Sequence, residues 1–118
     1  MHPNLLPVRD IDELDKLLSE SGACPLLLFK HSYTCGISAE ALDELLAHLD
    51  KEALDRARYA LVTVQTHREV SNAVSRRLGV RHETPQAILV RDGQVVWSAS
   101  HFRVTANAML QAIRAAGQ

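Results

Sequence analysis

One cysteine stands where a buried segment gives way to a helical pattern, and it is the residue of this sequence best suited to chemistry. Cys35 lies in the stretch Thr34-Cys35-Gly36-Ile37-Ser38, which follows the apolar run 24–29. The first turn of a helix carries unpaired N–H groups and the positive end of the dipole, which favour a thiolate. A Cys-x-x-Cys site would have its second sulfur three residues later, where this chain has Ser38. The spacing therefore predicts thiol chemistry by a single sulfur.

A single thiolate supports one kind of redox exchange. It can accept half of a mixed disulfide and pass it to another thiol, because each exchange needs only one attacking thiolate. The reaction that fits is removal of a small thiol from a modified protein, completed by a second molecule of that thiol. Lys30 and His31 shortly precede Cys35 and are candidates for adding positive potential that favours the thiolate.

The second cysteine, Cys24, lies at the other end of the apolar segment. Six extended residues from Cys24 to Lys30 cover about 20 Å at ~3.3 Å per residue. A disulfide requires Cα atoms less than about 7 Å apart. We therefore expect no bond between Cys24 and Cys35, and we interpret Cys24 as a small apolar residue at the start of a buried strand.

Helical spacing and continuous apolar runs alternate along the 118 residues with short joints between them. No linker or repeat interrupts this alternation, which predicts a single domain over residues 1–118. The predicted order is helix 11–18, strand 24–30, helix 37–49, strand 58–64, helix 70–78, strand 86–90, strand 95–99 and helix 106–113.

Local signals predict where these elements begin and end. An Asp or Thr followed three residues later by Glu forms a capping box, and a glycine after a helical pattern is typical of a helix end. Asp-Gly between two apolar runs predicts a β-hairpin. The residues concerned are Asp10 with Glu13, Thr66 with Glu69, Gly22, Gly79 and the hairpin turn Asp92-Gly93.

The element order α-β-α-β-α-β-β-α is that of the thioredoxin fold. This is an α/β fold with a four-stranded mixed sheet flanked by helices on both faces. If the first strand runs toward Cys35, the antiparallel third strand begins at that end and the fourth finishes there. Three segments should therefore meet around Cys35: 30–38, 82–86 and 98–103.

The middle segment contains Thr84-Pro85 immediately before a strand. In a thioredoxin fold we expect this peptide bond to be cis, which leaves the backbone of Thr84 free to pair with a bound thiol compound. Ser100 and His101, at the end of the fourth strand, should meet the polar remainder of that compound. The candidate substrate-binding residues are Thr34, Gly36, Ser38, Glu83, Thr84, Pro85, Ser100 and His101.

The same topology brings His31, His82 and His101 toward Cys35. Ligands brought together only by an inferred topology are weak evidence for zinc, and no ligand pair lies at close sequence spacing. We therefore expect no metal site.

Charge and hydropathy exclude two classes of partner. The formal net charge is −1 and no block of one sign is present, so neither nucleic acid nor a membrane surface is expected as a partner. No apolar run approaches the roughly 20 residues that span a bilayer, and the N-terminal residues do not resemble a signal peptide. A cytoplasmic location, where thiols stay reduced, is expected.

Several motifs together resemble one known family. Thr34-Cys35-Gly36-Ile37-Ser38, His82-Glu83-Thr84-Pro85-Gln86, Val96-Trp97 and Ser100-His101 with Thr105 are similar to the pattern of the monothiol bacilliredoxins of the YtxJ type. The resemblance covers nearly the whole chain. It implies a thioredoxin-like fold, bacillithiol as the thiol co-substrate, and Cys35 as the residue that becomes bacillithiolated. We expect bacillithiolated client proteins as partners, no bound cofactor and a monomer.

Gly36 departs from that pattern, in which proline is the commonest residue. The resulting Cys-Gly-Ile-Ser is similar to the Cys-Gly-Phe-Ser of monothiol glutaredoxins that carry an iron–sulfur cluster with glutathione. Against this alternative, the segment 97–101 lacks the Gly-Gly turn with which those glutaredoxins hold glutathione. A second alternative is a non-catalytic docking module, which the cysteine at a helix start disfavours.

Overall fold

The computed structural model describes residues 2–51 and 57–116, with the side chains of residues 50 and 51 excepted. Its elements, in chain order, are strand β1 (Leu5–Pro7), helix α1 (Ile11–Ser19), strand β2 (Leu26–His31), helix α2 (Gly36–Lys51), strand β3 (Arg58–Thr63), helix α3 (Arg68–Leu78), strand β4 (Gln86–Arg91), strand β5 (Gln94–Ser100), a short 3-10 helix (His101–Arg103) and helix α4 (Ala106–Ala116).

The five strands form one mixed sheet in the order β1-β3-β2-β4-β5. The pairs β1–β3 and β2–β3 are parallel, whereas β2–β4 and β4–β5 are antiparallel. The predicted thioredoxin-like architecture is confirmed, but the sheet has five strands where four were expected. The additional strand β1 has only three residues and ends in a proline at the sheet edge, so it carries too short a pattern to be recognised.

Two hydrophobic cores cover the two faces of the sheet, because side chains alternate along each strand. Leu27 and Phe29 of β2 pack with residues of α2 and α4, whereas Leu26 and Leu28 pack with residues of α1 and α3. This alternation explains why β2 is apolar throughout rather than every second residue. Within the two described ranges, no helix has both the length and the apolar character needed to cross a bilayer.

Helix boundaries agree with the sequence at two of the four predicted signals. The carboxylate of Asp10 accepts a hydrogen bond from Glu13 N at 2.8 Å, and Gly79 ends α3 with a left-handed φ of 66°. The capping box at Thr66 is wrong. Its hydroxyl lies 2.8 Å from the ring Nδ1 of His67, and the cap of α3 is His67 rather than Thr66.

The predicted end of α1 at Gly22 is also wrong, because the helix ends at Ser19 with Glu20 as its cap. Gly22 instead allows a close approach of the chain: a Cβ atom there would lie 2.6 Å from Oδ1 of Asp92. Asp92 and Gly93 form the hairpin turn, with φ angles of 53° and 75°. Two consecutive positive φ angles characterise the type I′ turn that joins antiparallel strands. The turn directs β5 back toward the end of β2.

Candidate active site

Sheet register brings the three predicted segments to one edge. Lys30 near the end of β2 is opposite Gln86 at the start of β4, and Gln86 is opposite Ser100 at the end of β5. The 3-10 helix that follows Ser100 contacts α2, the helix that begins after Cys35. The loop before α2, the loop before β4 and the end of β5 therefore lie side by side.

Cys35 immediately precedes α2 rather than lying inside its first turn. Its carbonyl oxygen accepts a hydrogen bond from Ala39 N at 3.0 Å, and its own N–H donates to the carbonyl of Ser32 at 3.2 Å. The residue thus occupies the N-cap position, next to the unpaired N–H groups of the first turn. Both cysteines are free, and Cys35 is half-buried, so part of its surface is open to solvent.

Ser38 occupies the position of the absent second sulfur, and it has a structural role. Its side chain has no exposed surface, and its hydroxyl accepts a hydrogen bond from Ser32 N at 3.0 Å. The same oxygen lies 2.7 Å from Nδ1 of His31. These two contacts make the buried hydroxyl an anchor for the loop 31–38, and the substrate contact expected of Ser38 stays a prediction.

The environment of His31 disfavours the charged form of its ring. Burial lowers the pKa of its ring, and the nearby carboxylate of Asp43 raises it to a smaller extent. A neutral ring with its proton on Nε2 accepts a hydrogen bond from Ser38 at Nδ1. The ring also lies against Phe29, with 6.4 Å between the two ring centroids. The His31 ring therefore contacts both Ser38 of α2 and Phe29 of β2.

Lys30 lies on the opposite face of the sheet from His31. Its side chain is fully buried, and its ammonium Nζ is 2.7 Å from Nδ1 of His82 and 3.4 Å from both the carbonyl of Ser71 and the hydroxyl of Ser75. Burial lowers the pKa of Lys30 to about 8. These contacts join β2 to α3 and to the start of the loop before β4, on the face away from α2.

Gln65 is a site residue that the sequence analysis missed. Its amide nitrogen donates to the hydroxyl of Ser32 at 2.6 Å and to that of Thr34 at 3.2 Å, and its amide oxygen accepts from Tyr33 N at 3.3 Å. One side chain thereby bonds to the three residues that precede Cys35. Gln65 lies two residues after the end of β3. Because parallel strands end at the same edge of a sheet, its position beyond β3 was the sequence signal that could have placed it near Cys35.

Gly36 is exposed and opens α2 beside the thiol. A Cβ atom at Gly36 would meet no other heavy atom within 4 Å, and its φ is not in the left-handed region. The site therefore imposes no steric requirement for glycine at this position.

The loop before β4 is held rigidly next to β5. The Thr84–Pro85 peptide bond is cis, in agreement with the expectation. The carbonyl of Pro85 accepts a hydrogen bond from His101 N at 2.9 Å, and the side chain of Gln86 donates to the carbonyl of Arg81 at 2.8 Å. Thr84 is half-buried at the edge of this loop.

Glu83 and His101 are joined by a hydrogen bond on the surface of the site. Oε2 of Glu83 lies 2.6 Å from Nε2 of His101. His101 has a φ of 56°, a left-handed conformation that is uncommon in residues other than glycine. Ser100 and His101 line a surface groove of about 500 Å³ together with Glu83 and the neighbouring residues. The candidate residues of β5 are thus beside those of the cis-proline loop.

The three histidines that topology was expected to gather have three different partners. His31 contacts Ser38, His82 contacts Lys30 and His101 contacts Glu83. Burial lowers the pKa of His82, and the charges of Lys30 and Arg68 lower it further, against a raising effect from Glu83. Among residues 2–51 and 57–116, no three His, Cys, Asp or Glu side chains are placed to hold a metal ion together.

Comparisons with known proteins agree with this geometry. The family model of the monothiol bacilliredoxin BrxC matches residues 6–109, which is most of the chain. A solved structure described as a candidate oxidoreductase with a thioredoxin fold is 28% identical, with a TM-score of 0.77, and the match covers 92% of this chain and 93% of that one.

Two thioredoxins show the same fold at lower identity. The thioredoxin of Malassezia sympodialis is 15% identical with a TM-score of 0.77, over 97% of this chain and 91% of that one. A thioredoxin variant from Halobacterium salinarum is 22% identical with a TM-score of 0.74, over 100% of this chain and 96% of that one.

Proposed function

The chain belongs to the monothiol bacilliredoxin family, and from that premise we propose that it removes bacillithiol from bacillithiolated proteins through a mixed disulfide on Cys35. The family and the 28% identical oxidoreductase structure support thiol–disulfide oxidoreductase activity in general. The choice of bacillithiol, and the assignment of Cys35 as the residue that carries it, are the parts that we propose.

One observation carries the proposal. Cys35 is partly exposed at the start of α2, and the residue three positions later is a fully buried serine bonded to His31 and Ser32. Neither Ser38 nor Cys24, at the far end of β2, offers a thiolate that could attack a disulfide formed on Cys35. The mixed disulfide must therefore be resolved by a thiol from outside the chain.

In the first exchange, the Cys35 thiolate attacks the sulfur of bacillithiol in the protein–bacillithiol disulfide. The client–bacillithiol S–S bond breaks, a Cys35–bacillithiol bond forms, and the client cysteine leaves as a thiolate that takes a proton from water. One disulfide is exchanged for another, so no external electron acceptor or donor is needed in this step.

In the second exchange, the thiolate of a free bacillithiol molecule attacks the bacillithiol sulfur bound to Cys35. The products are bacillithiol disulfide and the regenerated Cys35 thiolate. Over both steps, one client–bacillithiol disulfide and one free bacillithiol molecule give one client thiol and one bacillithiol disulfide.

The remaining site residues have binding roles in this proposal. The exposed Thr34 and Gly36 border the thiol, and the backbone of Thr84 beside Pro85 pairs with the backbone-like part of the substrate. Ser100 and His101 meet its polar remainder, with Glu83 orienting the ring of His101. We further propose that the protein acts as a monomer in the cytoplasm, with bacillithiolated proteins as its clients and without a bound cofactor.

A defined client protein tests the proposal. The client is prepared with one cysteine carrying either bacillithiol or glutathione, and its release is followed by intact mass in the presence of the matching free thiol. We expect faster release from the bacillithiol form and none with Cys35→Ser. Equal rates for the two thiols would contradict the choice of bacillithiol. Visible absorption of the purified protein would instead support the iron–sulfur alternative.

A further inference from the structure

The groove at the end of β5 contains a cationic side chain for which the proposed reaction has so far given no role. Glu83 lines one side of this groove of about 500 Å³, and residues 98–103 line the rest. Ser100, the last residue of β5, enters the groove. It is opposite Gln86 of β4, which is in turn opposite Lys30 of β2. The 3-10 helix His101–Arg103 contacts α2, so the groove lies on the side of the sheet that carries Cys35.

Both walls of the groove are fixed to each other. The N–H of His101 donates to the carbonyl of Pro85, and the ring of His101 is paired with the carboxylate of Glu83 at 2.6 Å. The left-handed φ of His101 gives the chain the sharp change of direction that places Phe102 and Arg103 next in the wall. Uncommon backbone conformations of this kind persist where the surrounding contacts hold them.

Of the two charged residues in the groove, Glu83 and Arg103, the side chain of Glu83 alone has a partner among the described residues. Glu83 has a partner in His101, whereas the exposed side chain of Arg103 has no hydrogen-bond or ion-pair partner among the residues that the structure describes. Phe102 beside it has 79% of its surface exposed and supplies an apolar wall. The groove therefore presents one unpaired guanidinium, a group suited to binding an anionic group on a small molecule.

We propose that this groove binds a carboxylate of the small thiol and that Arg103 is the residue that selects for it. The inference rests on the proposed function, because a thiol attached to Cys35 extends from the start of α2 toward the segments beside it. Low-molecular-weight thiols of the bacillithiol and glutathione kind carry free carboxylates, which a guanidinium binds with two parallel hydrogen bonds. The carboxylate of Glu83 is bonded to the ring of His101, which leaves the guanidinium of Arg103 available to the ligand.

The test compares two mixed disulfides of the same client protein. One carries bacillithiol and the other carries cysteamine, a small thiol without a carboxylate. Arg103→Gln removes the charge, and Arg103→Lys keeps the charge but not the paired geometry. Arg114→Gln is the matched control, since Arg114 is an exposed residue near the end of α4, where Ala116 contacts Arg91 at the opposite end of β4.

We expect Arg103→Gln to raise KM for the bacillithiol form about tenfold, as the loss of one charge-assisted contact predicts. The value of kcat for both forms, and the value of KM for the cysteamine form, should remain within about twofold of those of the unmodified protein, because neither depends on the lost contact. Arg103→Lys should give an intermediate KM, and Arg114→Gln should match the unmodified protein. Each variant should keep the melting temperature, since both arginines are exposed.

The outcomes separate the inference from the function on which it rests. An equal rise in KM for both substrates, or no rise for either, overturns the role of Arg103 while leaving the exchange on Cys35 intact. If the unmodified protein releases cysteamine but not bacillithiol, the proposed function fails and the inference fails with it.

Discussion

At the scale of single residues, Ser38 separates this site from a dithiol site. A solvent-exposed serine beside Cys35 would be a neutral replacement for a second sulfur. Instead the hydroxyl is buried and bonded to both His31 and the backbone of Ser32. Ser38 therefore holds the loop in front of Cys35 at the position where a dithiol site has its resolving thiol.

The two cysteines should respond differently to substitution. Cys35→Ser should abolish transfer of the small thiol, because no other thiol lies at the start of α2. Cys24→Ser should leave transfer nearly unchanged, since Cys24 precedes β2 at the end remote from the site. Release of a bacillithiolated client, measured for both variants, checks this. An equal loss of activity in both variants would contradict the assignment of Cys35.

Ser38→Cys should introduce dithiol behaviour. Residues separated by three positions at a helix start lie on the same face, so the new thiol should form a disulfide with Cys35 after oxidation. The loss of two protons in the intact mass measures this bond, and Ser38→Ala is the control that cannot form it. Ser38→Ala should also lower the free energy of unfolding by about 1–3 kcal/mol, because Ser32 N–H and the His31 ring lose a buried partner. A variant that stays in the dithiol form after oxidation would show that residues 35 and 38 do not face each other.

The face of the sheet on which the Lys30 side chain lies could not be predicted from the sequence. In the stretch Leu26–Lys30 every residue is buried, so the pattern itself does not tell which side chains face α2. Lys30 and His31 were both candidates for adding positive potential near the thiolate. Alternation along β2 places Lys30 against α3 and His82, and burial lowers the pKa of His31.

At the scale of elements, the start of α2 tolerates a residue other than glycine. Gly36 is the first residue of the helix, where its N–H has no intrahelical acceptor and where the φ of proline fits. Gly36→Pro should raise the free energy of unfolding by about 0.5–1 kcal/mol by restricting the unfolded chain, and transfer should be retained. Urea denaturation of the variant measures this difference.

Gly79→Ala is the matched control for Gly36→Pro. Gly79 ends α3 with a positive φ, so a side chain there should destabilise the fold by about 1–2 kcal/mol. If Gly36→Pro is as destabilising as Gly79→Ala, the first residue of α2 does not have the backbone conformation described.

Helices and strands with a long hydrophobic pattern could be predicted from the sequence. A three-residue strand, a helix cap and contacts made by single side chains could not. The order of the helices and of β2 to β5 follows from apolar periodicity, and the hairpin follows from Asp92-Gly93. The three residues of β1 carry no such pattern. The cap of α3 moved by one residue because the Thr66 hydroxyl bonds the His67 ring, and Gln65 acts through side-chain contacts that only the folded loop creates.

At the scale of the whole molecule, the buried ammonium of Lys30 should make stability depend on pH. The pKa of Lys30 falls from 10.5 to about 8 on folding because its side chain is buried. Below pH 8 both states hold the proton, so the destabilising effect of burial is fully present. Between pH 8 and 10.5 the unfolded chain binds more protons than the folded one, so stability rises with pH.

Urea denaturation at pH 7.5 and 9.5 measures this effect, and Lys30→Met is the reference. We expect the free energy of unfolding to rise by about 1–2 kcal/mol relative to the variant over this range, at up to about 1.4 kcal/mol per pH unit. The upper limit avoids the titration of Tyr59, whose pKa is raised by burial and by the nearby Cys24. A pH dependence identical in both proteins would mean that Lys30 is not buried as an ammonium.

The mass of the protein after one turnover tests the central claim most directly. An excess of bacillithiolated client is mixed with the reduced protein in the absence of free thiol, and intact and peptide masses are measured after acid quenching. We predict that one bacillithiol is found on Cys35 and that an equal amount of unmodified client is released, because the chain has no thiol placed to resolve the adduct. The addition of free bacillithiol should then remove it. An unmodified Cys35, or a disulfide between Cys35 and Cys24, would contradict the account.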